Sequence, residues 1–462
     1  MKLTGLVLTA EDPGYDSARH GFAARFDYDA NKPYAVVYAQ SVHDVAEAVQ
    51  YAQRHHLPVR PRCGCHSYEA FSSLVKDGVI IDVSDLDHVS FDRETGHAKV
   101  GAGIDMLTLT NTLAEVGVTF PMATGPSVGI AGLVQGGGVG LTSRLWGMTC
   151  DNLLDVEIVT AEGEIIHANE HDHSDLFWAL RGGGGGNFGI CTEFTFQTHP
   201  LMLVGVYNIS YQWSDFEQIV DIWQKWAPFA DWGLTSLISL HVDQTIQIQG
   251  QYTAPPQDMP KLHSLLEPVL NAGPVPISVQ VMVVPARAGA NMTFGVDPMN
   301  PSWAINPHDD SEIFKSTSAI ATQIFPPEAI TMLKTALENC PPLSAAPAQP
   351  SMVQLLGGSG KLAVPAKDAT AIWWRDTLFI VQYDGYWTAP EDGDKTIEWV
   401  VETRRSMLPY AHGAYINYVD TTLGPDWAEQ YYGGNLPRLM EIKKKYDPRN
   451  FFNFPQSIPL AP

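Results

Sequence analysis

The segment "RPRCGCHSYEAF", residues 60–71, gathers two thiols, an imidazole and a phenol into one short run. Side chains of these types bind metals, exchange electrons as thiols, or anchor a larger group covalently. Spacing narrows the choice. Attachment of a c-type haem needs Cys-x-x-Cys-His, and Cys63-Gly64-Cys65-His66 is one residue short of it. Tetrahedral zinc wants a second ligand pair, and no Cys-x-x-Cys follows downstream. Thiols separated by a single residue close a disulfide only under strain. Local chemistry therefore weakens the metal and thiol readings without replacing them, and a tight turn of small buried residues accounts for the run as well.

Glycine dominates two further segments. In "GPSVGIAGLVQGGGVG", residues 125–140, the glycines leave backbone N–H groups free to approach an anion such as a pyrophosphate. A dinucleotide turn would need Gly-x-Gly-x-x-Gly directly after a buried strand; here "FPMATGPS" precedes and is not strand-like, so a nicotinamide fold is not supported. A tightly packed glycine loop accounts for the composition equally well. The run "RGGGGGNFGI", 181–190, is by itself what a linker looks like.

"AYINYVD", 414–420, reads as a strand whose alternation puts Tyr415 and Asn417 on one face, Tyr418 and Asp420 on the other. Tyrosines in a strand are commonly packing residues, but a phenol becomes a base where a cation or electron sink lowers its pKa. His167, His171 and His173 cluster in "HANEHDHSD", an acid-rich connection that reads as a solvated turn, so no metal is expected.

The elements that must position these residues come in two textures. Up to about Pro200, short apolar runs alternate with helical patterns: "YAVVYAQ" is a strand, then Ser41 caps a helix with Val42, Val45, Ala48, Val49 and Ala52 on one face. "LPVRPR" and "GVIIDVS" are strands, "KVGAGIDMLTLTNTLAEVG" a strand and helix, and "LLDVEIVTAEGEIIHA" a hairpin about Glu162-Gly163. Ser174 is expected to cap a short helix before the second glycine run, and "GICTEFTFQTHP" is a strand. Beyond Pro200 the strands are antiparallel in style, as in "LISLHVDQTIQIQGQYT". Residues 287–350, rich in Pro, Asn and Ala, are expected to loop around a cleft, and strand, helix and strand return towards the C-terminus.

With 462 residues the chain exceeds one ordinary core. Its formal charge of −23 argues against nucleic acid or an anionic membrane as partner, since both need a basic footprint. The N-terminal apolar run is too short for a secretory segment, and no stretch approaches the roughly 18 apolar residues of a membrane helix. A cytoplasmic protein is expected, and the five scattered cysteines form no disulfide framework.

Taken in order, "RPRCGCHSYE", "GVIIDVSDLD", "VGAG", the 125–164 segment, "DLFWALRGGGGGNFGICTEF", "YINYVD" and "YYGGNLPRLMEIKKKYDPRNFF" followed by "QSIP" resemble the berberine-bridge-enzyme-like oxidases of the vanillyl-alcohol-oxidase superfamily. The likeness is close over the first 200 and last 50 residues and loose between them. It implies an α+β fold: a PCMH-type FAD-binding domain built from residues 1–203 and completed by 412–462, with a central substrate domain, 204–411, on an antiparallel sheet flanked by helices. His66 becomes the residue bonded to the flavin 8α-methyl, and Arg62, Cys63, Gly64, Cys65, Ser67 and Tyr68 surround the cofactor, the backbone wrapping its pyrophosphate. Ser127, Val128, Gly129, Gly132, Gly138, Val139 and Gly140 hold its other side; Gly185, Gly189 and Ile190 line the rest.

The resemblance also makes Tyr418 the catalytic base, supported by Tyr415 and Asn417, in oxidation of an alcohol, hemiacetal or activated C–H centre. One position departs from the family pattern. Gly125 stands where many members carry a second flavin-linking cysteine, which implies a single bond through His66 and a flavin of lower potential. Val128 matches the small valine of oxygen-reactive members, so an oxidase releasing H2O2 is expected. The alternatives are a dehydrogenase using another acceptor or a non-catalytic flavin-binding protein. Sugar and secondary-metabolite substrates both stay open, with a lean to the latter. Trp373, Trp374 and Trp387 are placed either to stack on a substrate ring or to pack. The chain is expected to be a monomer or homodimer.

Overall fold

A computed structural model describes residues 3–295 and 311–462. Local capping starts the fold as the sequence suggests. The Ser41 hydroxyl accepts from the Asp44 N–H at 3.2 Å and opens the helix Val42–Arg54. Its Val45, Ala48, Val49 and Ala52 are buried against a small sheet. That sheet runs Val7–Leu8, Ala35–Tyr38, Val79–Asp82, Val59–Arg62 in spatial order, the last three strands parallel. The Val59–Arg62 strand delivers the chain directly into the His66 loop.

A five-stranded antiparallel sheet follows, ordered Val89–Asp92, His97–Gly101, Ile190–Gln197, Leu153–Val159, Ile165–Asn169. The hairpin between its last two strands turns at Gly163, whose φ of 77° favours glycine. One detail differs from expectation. The helix Ser174–Ala179 follows His173, itself left-handed at φ 47°, and no side chain caps it, so Ser174 is its first residue and not its cap.

The central sheet has seven strands, ordered Ser278–Pro285, Leu203–Tyr211, Ile246–Ala254, Leu234–His241, Met352–Gly357, Phe379–Tyr386, Phe314–Ala321, every neighbouring pair antiparallel. The helices Phe216–Trp226, Lys261–Leu270, Pro327–Glu338 and Gly393–Met407 share its apolar face and form a second core. Strand alternation then decides what the opposite face offers. Along Phe379–Tyr386, Phe379, Val381 and Tyr383 enter the core while Gln382, Asp384 and Tyr386 face the other way.

The loops expected over 287–350 are a correction. Residues 296–310 lie outside the described ones; the remainder carries the helix Ala286–Thr293, the strand Phe314–Ala321 and the helix Pro327–Glu338. The strand "FKSTSAIA" is buried along its whole length although half of it is polar, which hid it from an apolar-run reading.

The first core draws on residues 37–196 and on 414–458. Leu362, Ala371 and Ile372, from within the central stretch, join it. Arg144 bridges the two cores: fully buried, it donates to the carbonyls of Leu234, Pro228 and Ala230 at 2.7–2.8 Å. Among the described residues no helix is long and apolar enough to cross a membrane.

Candidate active site

Between the cores lies a cavity of about 780 Å3, a size typical of sites that enclose a small molecule or cofactor. Three loops of the first core form one wall, and the open face of the seven-stranded sheet forms the other.

The first loop is held by backbone contact. A Cβ on Gly64 would stand 2.3 Å from the Gly129 nitrogen, and a Cβ on Gly129 would stand 2.1 Å from Cys63 Sγ. Only glycine lets these two segments meet. Cys65 adopts a left-handed φ of 63° and turns the chain so that His66 enters the cavity wall. There His66 Nε2 lies 2.8 Å from Ser127 Oγ, and the ring stacks on Phe22 with centroids 4.2 Å apart. Burial lowers the imidazole pKa to about 4, so the ring is neutral at physiological pH. Burial likewise pushes the Cys63 and Cys65 thiols up to about 12 and 11. Neither is a thiolate, and a redox role for the pair falls away.

The glycine segments divide by function. Nothing lies within 4 Å of a Cβ built on Gly132, and the nearest atom to one on Gly185 is 3.7 Å away. Both line the cavity, as do Val128, Gly129, Val139, Gly189 and Ile190. Gly138 and Gly140 do not, which corrects their expected place. A Cβ on Gly138 would meet Thr149 Oγ1 at 2.2 Å and one on Gly140 would meet the Met122 carbonyl oxygen at 1.7 Å, so these glycines serve packing. Ser127 also stays outside the lining and reaches the site through His66. Arg62 lines the cavity, and its guanidinium is taken up by Asp82 at 2.5 Å and the Ala18 carbonyl at 2.6 Å, leaving only its backbone to meet a ligand. Arg60, passed over in the sequence, lines the cavity, and no carboxylate among the described residues pairs with it.

"AYINYVD" forms no strand, and its predicted alternation fails. The Tyr418 N–H donates to the Tyr415 carbonyl at 2.9 Å, a turn that brings Tyr415, Asn417 and Tyr418 together on the cavity wall. The Tyr418 ring stacks on Tyr68 (5.4 Å, 10°) and meets Tyr415 edge-on (5.1 Å). Tyr415 Oη accepts from the Gly138 N–H at 2.9 Å and from Asn417 Nδ2 at 3.0 Å, which leaves its own O–H to donate elsewhere. Burial raises both phenol pKa values. The Asp384 carboxylate raises that of Tyr418 further, and no nearby cation among the described residues opposes it.

Asp384 is the residue the sequence reading missed. It faces the cavity with Gln354, Gln382 and Tyr386, wholly buried, and burial pushes its pKa up to about 7. Gln382 Nε2 donates to its Oδ1 at 3.0 Å, while Oδ2 has no hydrogen-bond partner among the described residues. The available signal was period-two polarity, Gln382-x-Asp384-x-Tyr386, inside an otherwise apolar strand.

The three tryptophans lie outside the cavity and pack. Trp374 Nε1 donates to the Gln430 carbonyl at 2.9 Å, Trp373 lies against Gly433 and Gly434, and Trp387 lies against Gly393. The histidine cluster disperses: His167 pairs with Asp155 and His173 with Tyr446. No group of His, Cys, Asp or Glu among the described residues is disposed to hold a metal ion.

Against known proteins, residues 33–169 match the FAD binding domain family, and residues 414–459 match the family described as berberine and berberine like. The chain is 34% identical to an uncharacterized FAD-linked oxidoreductase, YgaK, of Bacillus subtilis, covering 99% of this chain and 97% of that one. It is 28% identical to the glucooligosaccharide oxidase of Sarocladium strictum over 98% and 92% of the two chains. The structure superposes on the BBE-like 1 protein of Physcomitrella patens with a TM-score of 0.89 and 26% identity, covering 100% and 98%. The cavity suits FAD on its own terms. Gly132 and Gly185 leave room for a flat group to approach the backbone, and a neutral buried imidazole stands in the same wall.

Proposed function

Since the chain belongs to the berberine-bridge-enzyme-like FAD-linked oxidoreductases, we propose that it oxidises a sugar at a hydroxyl-bearing carbon, with O2 reduced to H2O2. The observation that carries the substrate class is the row Gln354, Gln382, Asp384 on the cavity wall beside the Tyr68–Tyr418 stack. Amides and a carboxylate with unmet hydrogen-bonding capacity match a polyol and would be left unsatisfied by an apolar metabolite.

The His66 loop, Val128, Gly129, Gly132 and Val139, and the Gly185–Ile190 segment would hold FAD. His66, with Nε2 fixed by Ser127, keeps Nδ1 for the single covalent bond to the flavin; Gly125 supplies no second one. Arg62 fixes the loop from behind. Bound FAD supplies the hydride acceptor and passes the electron pair to O2.

The chain's own part is proton transfer. A buried phenol with a raised pKa is protonated at rest, so Tyr418 accepts the substrate proton only as it yields its own. Asp384, with a pKa of about 7 and a free Oδ2, is the group suited to receive it. Tyr415 and Asn417 orient the hydroxyl opposite. The test is a panel of mono- and oligosaccharides given to the yellow holoprotein and read for peroxide. Peroxide formed with a sugar is expected, and flavin reduction without O2 consumption would make it a dehydrogenase.

A further inference from the structure

Behind the aromatic wall of the cavity lies a buried ion cluster whose charged side chains stand outside the cavity lining. Lys315 Nζ reaches Glu69 Oε1 at 2.6 Å and pairs with Asp420 Oδ1; the three side chains are at most 2% exposed. Arg25 Nη2 adds a second cation on Glu69 Oε1 at 2.8 Å. The remaining lone pairs are met as well. Thr421 Oγ1 donates to Glu69 Oε2 at 3.1 Å, Thr317 Oγ1 donates to Asp420 Oδ2, and the Thr422 N–H donates to Asp420 Oδ1 at 2.7 Å. Two cations balance two carboxylates, so the cluster carries no net charge.

Its members come from distant parts of the chain, and each adjoins a residue of the aromatic wall. Glu69 follows Tyr68, Lys315 follows Phe314, and Asp420 stands two residues after Tyr418. Those three neighbours form the stack itself: Tyr68 lies parallel to Tyr418 and edge-on to Phe314, with centroids 5.1 Å apart in the latter pair. Lys315 belongs to the central sheet, whereas Glu69 follows the His66 loop and Asp420 follows the Tyr415–Tyr418 turn. The ammonium therefore ties three chain segments at one point. A buried ion pair adds little net stability over an apolar substitute, while it fixes one arrangement among alternatives.

We propose that Lys315 is a positioning residue for the oxidation: by holding Glu69 and Asp420 together it sets the Tyr68–Tyr418 stack and so the place of the Tyr418 hydroxyl. The inference rests on the proposed role of Tyr418. A displacement of about 1 Å in a reacting group costs up to about a hundredfold in rate. Loss of the cluster is therefore read in the half-reaction that uses Tyr418 and not in the one that uses O2.

Stopped-flow measurements on flavinylated Lys315→Met and Asp420→Asn proteins test it. The limiting rate of flavin reduction by sugar should fall at least about tenfold. The sugar dissociation constant should stay within about threefold, and reoxidation by O2 should be unchanged. Reduction at the wild-type rate, or an equal fall in both half-reactions, would overturn the proposal. Should Lys315→Met not accumulate as holoprotein, the shape-conserving Asp420→Asn decides by the same criteria. Tyr418→Phe run alongside separates the two claims. Undiminished reduction in that variant overturns the role of Tyr418; slowed reduction there with normal Lys315→Met and Asp420→Asn rates overturns only the role of the cluster.

Discussion

The two walls of the cavity are built by different means. On the loop wall, position is set by close approach at glycine: Gly64 against the Gly129 backbone, and Gly129 against Cys63 Sγ. On the sheet wall, it is set by side chains rising from alternate positions of one strand, Gln382, Asp384 and Tyr386. A backbone cradle demands glycine at fixed spacings and tolerates no Cβ; a sheet face accepts any side chain that its neighbours can pack. The first therefore holds a constant cofactor, and the second is free to suit a particular substrate. Substitutions on the two walls should accordingly fail in different ways.

The largest effect belongs to Tyr418→Phe. Removing the general base should slow flavin reduction by about 10²–10⁴-fold with the bound flavin spectrum intact, as followed in anaerobic stopped flow. Next comes Asp384→Asn. The Asp384 carboxyl is raised to about 7, and only its carboxylate accepts a proton, so the wild-type reduction rate should rise with pH through about 7 and be lost below it. In Asp384→Asn that limb should vanish from the pH–rate profile and the plateau should drop by about 10²-fold. A retained limb would place the ionisation elsewhere.

On the loop wall, Gly129→Ala forces a Cβ to 2.1 Å from Cys63 Sγ. Overpacking of this kind costs about 1–3 kcal/mol. The expected outcome is protein of reduced Tm with substoichiometric flavin, measured by absorbance ratio, while the flavin that is bound turns over near the normal rate. The smallest effect is at Trp374→Phe, which should leave KM for any sugar unchanged because Trp374 packs beside Gly413 away from the cavity. A raised KM there would extend the sheet wall to the tryptophans.

This contrast also explains what the sequence made legible. Glycine cradles leave a positional record, so the His66 loop and the 125–140 and 185–190 segments stood out together with the helix capped by Ser41 and the strand entering the loop. Even so, Gly138 and Gly140 carry the same letter for a different reason, and only neighbours such as Thr149 and Met122 separate packing from lining. Asp384 was hidden because a buried acid in a strand looks like any other polar residue until its partners are known. The turn at Tyr415–Tyr418 resembles a strand in sequence because aromatic and β-branched residues fill it. What was missing was a neighbouring strand: its backbone bonds go to its own turn and to Ser318 and Gln430. The strand around Lys315 is hidden by its polar composition, since its lysine and threonine are satisfied by partners far away in sequence.

The most direct measurement mixes the purified yellow protein anaerobically with a panel of mono- and oligosaccharides, then admits O2. The account predicts that one or more sugars bleach the flavin, that O2 restores its colour with one peroxide formed per sugar oxidised, and that acid denaturation leaves the flavin on the chain in wild type and Cys65→Ala but not in His66→Ala. A flavin that no sugar bleaches, or that leaves the wild-type chain on acid denaturation, would contradict it.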